Sequence, residues 1–177
     1  MSHDSGSLLC IGAGLHQIPL LQRLQQLFPG RVVAVDVNPS APALQWADRS
    51  VCLSTWEAEP IAQWVESLDI IPDGVFCFSY GKAIFTQQQL LSRWELPGAL
   101  PDNLLTLAID KTQLRTRLIH DELCTIQAFA SDDYLRMKAT PEIILKDRLG
   151  GSSRQISLLT GDELSKRASS LDWSSLI

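Results

Sequence analysis

The sequence predicts an α/β fold: a parallel sheet covered by helices on both faces over residues 1–102, then a smaller, partial α+β unit over residues 103–177. Three observations predict it. Apolar runs and helix-period segments alternate about four times over the first hundred residues, the order of a parallel sheet with right-handed crossovers. The run Arg31-Val-Val-Ala-Val-Asp36 is β-branched and apolar between its charged ends, as suits a strand buried on both faces. Residues 1–105 hold 10 acids and 5 bases whereas residues 106–177 hold 10 of each, so charge density roughly doubles. The turn residues Leu96-Pro97-Gly98 and Pro101-Asp102-Asn103 mark that boundary.

Each element follows from its own pattern. Ser7 to Ile11 is a short apolar run closed by Gly12-Ala13-Gly14, and Ile18, Leu21, Leu24 and Phe28 then fall at helical spacing. Pro19 is tolerated only in a first turn, which sets the helix start near His16 or Gln17. Pro29-Gly30 ends that helix, and Arg31 to Asp36 is the second strand. Asn38-Pro39-Ser40 turns the chain toward a third strand at Ser50 to Leu53. Ile61, Trp64, Val65 and Leu68 mark the next helix. Pro72-Asp73-Gly74 leads into the fourth strand, Val75 to Phe78, and a helix runs from Lys82 to Trp94 with Ile84, Leu91 and Trp94 inward.

From Asn103 to Leu123 the pattern predicts one long helix, capped by Asp102 or Asn103, with Leu107, Leu114 and Leu118 as its stripe. Lys111 sits on that stripe, so its ammonium either snorkels past the core or meets something anionic at its edge. A short strand at Cys124 to Phe129 precedes the apolar strand Pro141 to Leu145, which ends at Lys146. Gly150-Gly151-Ser152-Ser153-Arg154 then leads to a second strand, Ile156 to Leu159. A hairpin loop of this composition offers N–H groups and hydroxyls between two cations, donors that suit a polyphosphate; the plain alternative is a solvated hairpin tip.

Composition excludes several classes. With 177 residues, 45% apolar and 20% charged, the chain is of ordinary soluble-domain size. A net charge of -5 argues against a nucleic-acid partner. No apolar run approaches bilayer length, and the polar start lacks the regions of a secretion signal, so no membrane partner and a cytoplasmic location are expected. Cys10, Cys52, Cys77 and Cys124 form no C-x-x-C pair and read as small core thiols in a reducing compartment. His3, His16 and His120 lack the spacing of zinc ligands or a triad, and no metal site is expected from them.

Taken in order, Leu8-Leu-Cys-Ile-Gly-Ala-Gly14 with Ile18-Pro19-Leu20, Val35-Asp-Val-Asn-Pro-Ser-Ala-Pro42 with Ala47-Asp48, Asp110-Lys111, and Ile144-Leu-Lys-Asp-Arg-Leu-Gly-Gly-Ser-Ser-Arg154 resemble the ATP-grasp family. The likeness is to members similar to the carbamoyl phosphate synthetase large subunit. It implies a Rossmann-like pre-ATP-grasp domain over 1–102 and the first part of the nucleotide-clamping fold over 103–177. Lys111 and Lys146 would then be phosphate-binding lysines, and Gly150, Gly151, Ser152, Ser153 and Arg154 the loop over the phosphates. Gly12, Gly14 and Asp36 would lie toward the substrate. The implied chemistry is activation of a carboxylate by ATP and Mg as an acylphosphate, which an amine or thiol then displaces. Asp147 departs from the family's proline, and Gln155 from a glycine. Magnesium ligands are expected beyond Ile177, so the chain, as a piece of a longer protein or a natural truncation, is not expected to turn over ATP alone. The reading leaves room for a homodimer.

Two other readings stand beside it. Gly12-Ala-Gly14 with Asp36 matches part of a nicotinamide-dinucleotide motif, although Gln17 occupies the place of the third glycine. A non-catalytic interaction module would present Trp46, Trp56 or Trp94 to a partner.

Overall fold

The computed structural model describes residues 6–79, 81–123, 142–149 and 156–171. It divides into two units, Met1–Leu100 and Pro101–Ile177.

In the first unit, strands with apolar residues in both registers bury both their faces. Strands β1 (Ser7–Ile11), β2 (Arg31–Asp36), β3 (Arg49–Cys52) and β4 (Gly74–Cys77) pair in parallel in the order β3-β2-β1-β4. Leu9 lies opposite Val33 and Val75, and Val33 opposite Arg49. The pleat sends Leu9, Ile11, Val33, Val35 and Val75 to one face. There Ile61, Ala62 and Val65 of helix α2 (Ala58–Glu66) and Leu90 and Leu91 of α3 (Ala83–Arg93) cover them. Cys10, Val32 and Ala34 form a second core with Leu21 of α1 (Ile18–Leu27). Pro19 stands in the first turn of α1, where its missing N–H costs nothing.

Two details differ from the sequence expectation. Cys52 is exposed, because β3 is an edge strand; Cys10 is fully buried and Cys77 partly so. Burial pushes the Cys10 thiol up to about 12 and raises Cys77 as well. The inward face of α3 is Ala83, Leu90 and Leu91, with Ile84 only half-buried.

The larger correction lies in the second unit. The expected single helix is two: α4 (Asp102–Ile109) and α5 (Lys111–His120), with Pro101 at the cap position of α4. Asp110 breaks the helix because its carboxylate accepts the N–H groups of Thr112 and Gln113, capping a new one. The break resets the helical phase. Leu105 and Ile109 are buried instead of the expected stripe, and Leu114 is 38% exposed.

Beyond these, β5 (Ile143–Leu145) pairs antiparallel with β6 (Ser157–Leu159), Ile143 opposite Leu159. Helix α6 (Gly161–Arg167) follows, and its Leu164 closes a small core with Ile143, Leu145 and Leu159. The strand expected at Cys124 to Phe129 lies outside the described residues.

Candidate functional site

In an open parallel sheet, ligands bind outside the carboxyl ends of the strands where strand order reverses, and here that point lies between β1 and β4. The turn leaving β1 depends on Gly12. Its φ is +92°, in the region that favours glycine, and a Cβ there would stand 2.5 Å from the Ser79 hydroxyl oxygen. Glycine thus admits both the turn and the approach of the segment after β4. Gly14 opens the 3-10 turn Leu15–Gln17, where an added Cβ would lie 3.0 Å from Gln17 Oε1. Gln17 Nε2 donates to the Phe78 carbonyl at 2.8 Å, tying the β1 turn to the end of β4.

Asp36 closes the same arrangement. One carboxylate oxygen accepts the Ala13 N–H at 2.7 Å and the other the Asn38 N–H at 2.8 Å. Gly12, Gly14 and Asp36 therefore meet at one edge, and the Asp36 carboxylate holds two loops there. That use, with Gln17 bonding across to Phe78, weighs against the dinucleotide reading.

In the second unit the chemistry gathers where β5 ends. The Lys111 ammonium donates to the Asp147 carbonyl at 2.8 Å and the Arg148 carbonyl at 3.4 Å, and the Lys111 backbone N–H also donates to Arg148 at 3.2 Å. Lys111 thus ends on backbone carbonyls beside Lys146, which is half-buried. In return, the Arg148 guanidinium grips the carboxylate of Asp110, which is 2% exposed. Arg148 holds that carboxyl below its ordinary value, opposed by burial and assisted by the Gln113 and Thr112 N–H groups. Asp147 accepts the Leu149 N–H at 3.0 Å, a side-chain turn that constrains the chain after β5. Gly150, Gly151, Ser152, Ser153 and Arg154 lie outside the described residues.

Sequence reading missed the partnership of Asp110 with Arg148, since no local pattern links residues so far apart. A local signal did exist for α6: Thr160 and Glu163 exchange hydrogen bonds as a capping box, written Thr-Gly-Asp-Glu. The tryptophans separate as well. Trp46, Trp64 and Trp94 pack against the two cores, whereas Trp56 is 62% exposed with the Lys82 ammonium 5.1 Å above its ring centroid.

Elsewhere, a cavity of about 570 Å³ opens at the amino edge of the sheet, among Gly6, Ser7, Arg31, Leu68, Asp69, Ile70, Ile71 and Asp73. Asp73 there accepts the Ser7 N–H at 2.7 Å. The cavity is at the edge opposite the reversal point, so we assign it no chemistry. Among the described residues no group of three or more His, Cys, Asp or Glu side chains is placed to hold a metal ion, and no helix is long and apolar enough to cross a membrane.

No family model and no curated protein matches the chain. Solved structures do. The chain is similar to N5-carboxyaminoimidazole synthetase from Staphylococcus aureus complexed with ADP, at a TM-score of 0.67 and 15% identity over 97% of this chain and 46% of that one. Phosphoribosylglycinamide synthetase from Anaerococcus prevotii matches at 0.63 and 18%, over 97% and 44%. The biotin carboxylase domain of Hydrogenobacter thermophilus 2-oxoglutarate carboxylase, in complex with MgADP and bicarbonate, matches at 0.67 and 16%, over 93% and 40%. The chain spans less than half the length of each. At these identities the likeness is one of fold, that of the N-terminal part of ATP-grasp ligases.

Proposed function

We propose that the chain is the N-terminal portion of an ATP-grasp ligase that activates a small carboxylate with ATP for attack by an amine or thiol. The observation that carries this reading is local to the second unit. The Lys111 ammonium lies 2.8 Å from the carbonyl of Asp147, the residue following Lys146, which supports reading the two lysines as flanking the start of the glycine–serine segment.

The donors at that junction suit a polyphosphate. Two ammonium groups offset its charge, and Gly150, Gly151, Ser152, Ser153 and Arg154 add N–H, hydroxyl and guanidinium donors. ATP, when bound, would supply the phosphoryl group that converts a carboxylate into an acylphosphate. The chain's part is to hold it: Lys111 and Lys146 counter the charge that shifts among the phosphate oxygens, and the Asp110–Arg148 pair keeps the backbone after Lys146 in place. Magnesium, when bound, would share that charge. In the first unit, the turn through Gly12 and Gly14 lies toward the substrate, fixed by the Gly12 N–H on the Val35 carbonyl and the Ala13 N–H on the Asp36 carboxylate.

Equilibrium dialysis of the purified chain against ATP and Mg²⁺, with NAD⁺ in a parallel cell, tests the proposal. Saturable ATP binding that weakens at least about tenfold in Lys146→Ala and is untouched by Asp36→Ala is expected, since one charged contact to phosphate carries roughly that much. Saturable NAD⁺ binding abolished by Asp36→Ala would replace the ligase reading with the dinucleotide one.

A further inference from the structure

Large apolar side chains are left at the carboxyl edge of the first unit's sheet. Leu15 follows the β1 turn, Val37 follows β2, Trp56 follows β3, and all three are exposed. The segment after β4 contributes a cation to the same edge, Lys82, at the cap position of α3. Trp56 is the informative member. Packing accounts for the other described tryptophans, which lie against the cores, but Trp56 belongs to neither core, and an indole left mostly in water gains nothing for the fold.

Phe78, Ser79 and Lys82 relate Trp56 to the Gly12 turn. Gln17 bonds the Phe78 carbonyl, Ser79 lies against Gly12, and Lys82 rests over the Trp56 ring. The acid nearest this turn, Asp36, is already committed to the Ala13 and Asn38 N–H groups. Charge and shape at the edge are therefore an exposed indole under an exposed ammonium.

We propose that Trp56 and Lys82 form a substrate subsite for a planar, conjugated carboxylate, the ring stacking on the indole and the carboxylate pairing with the ammonium. This deepens the ligase reading by naming the substrate class at the edge where that reading puts the substrate. An ammonium on an exposed indole is a weak contact and is readily exchanged for a carboxylate, because a charge-assisted pair is the stronger partner. A flat ring loses little freedom on the indole, whereas a puckered one of equal size meets it at only a few atoms.

The test uses the full chain and ¹H–¹⁵N spectra of its indole groups, with the Trp56 signal identified by its loss in Trp56→Phe. Benzoate, cyclohexanecarboxylate, benzamide and benzylamine are titrated separately. Expected is a saturable shift of the Trp56 signal with benzoate, about fivefold tighter than with cyclohexanecarboxylate or benzamide, and lost in Lys82→Gln. Both side chains are exposed, so these variants keep the fold, which the remaining indole signals report. Equal binding of the four probes, tighter binding of benzylamine, no saturable shift, or a benzoate shift that survives Lys82→Gln would each overturn the proposal. No nucleotide takes part, so failure here is separate from failure of ATP to bind the second unit.

Discussion

Asp110 does three things with one carboxylate: it ends α4, caps α5 and holds Arg148. Because its folded pKa is depressed, its contribution to stability is present above the unfolded value, about 3.9, and is lost as pH falls through the folded pKa. Asp110→Asn retains a capping side chain and removes the charge, so it isolates the ion pair. Arg148 is itself 38% exposed and solvent screens its share, so we expect a loss of about 1–2 kcal/mol at pH 7. Thermal melts of the two proteins should differ at pH 7 and converge as pH falls below the usual carboxylate range; a difference that does not shrink on acidification would mean that the charge contributes nothing. The sequence displayed this aspartate as half of an Asp-Lys dipeptide inside a helical run. Its burial and its arginine partner were not legible, because both depend on β5 returning to the start of α5.

The helices show the same division between readable and unreadable signals. In the first unit their beginnings, and the apolar faces of α1 and α2, follow from spacing alone, with Pro19 fixing the start of α1. Their ends do not, since Asp69, Glu95 and Glu122 adopt positive φ of 54°, 52° and 57° where glycine is the ordinary choice. After α3, the Leu96 N–H reaches back to the Leu91 carbonyl at 2.8 Å, closing the helix around Glu95. Glu95 is exposed, so Glu95→Gly relieves its backbone without removing packing. Urea unfolding should show that variant more stable by about 0.5–1 kcal/mol, the left-handed penalty less glycine's greater unfolded freedom. A decrease would show that the Glu95 side chain supports the turn. The break between α4 and α5 was hidden for a different reason: aspartate is tolerated within a helix, and only its bonds to Thr112 and Gln113 reveal it as a cap.

The two units have separate interiors. The cores on the two faces of the sheet draw on residues from Leu9 to Leu96, and the small core of the second unit on residues from Ile143 to Leu171. Residues 1–100 expressed alone should therefore unfold cooperatively with the far-ultraviolet spectrum of an α/β domain; a non-cooperative melt would show that the first unit borrows stability from the second. Amino-acid order alone determined the alternation of strand and helix, the burial of β1 and β2 on both faces and the antiparallel β5–β6 pair, because periodicity and turn chemistry act over a few neighbouring residues. Only the three-dimensional arrangement decided that β1 lies between β2 and β4, that Gly12 makes room for Ser79, that Lys111 ends on the carbonyls beside Lys146, and that Trp56 is left in water under Lys82. Those contacts join residues distant along the chain, and their energies arise only once the backbone has brought them together.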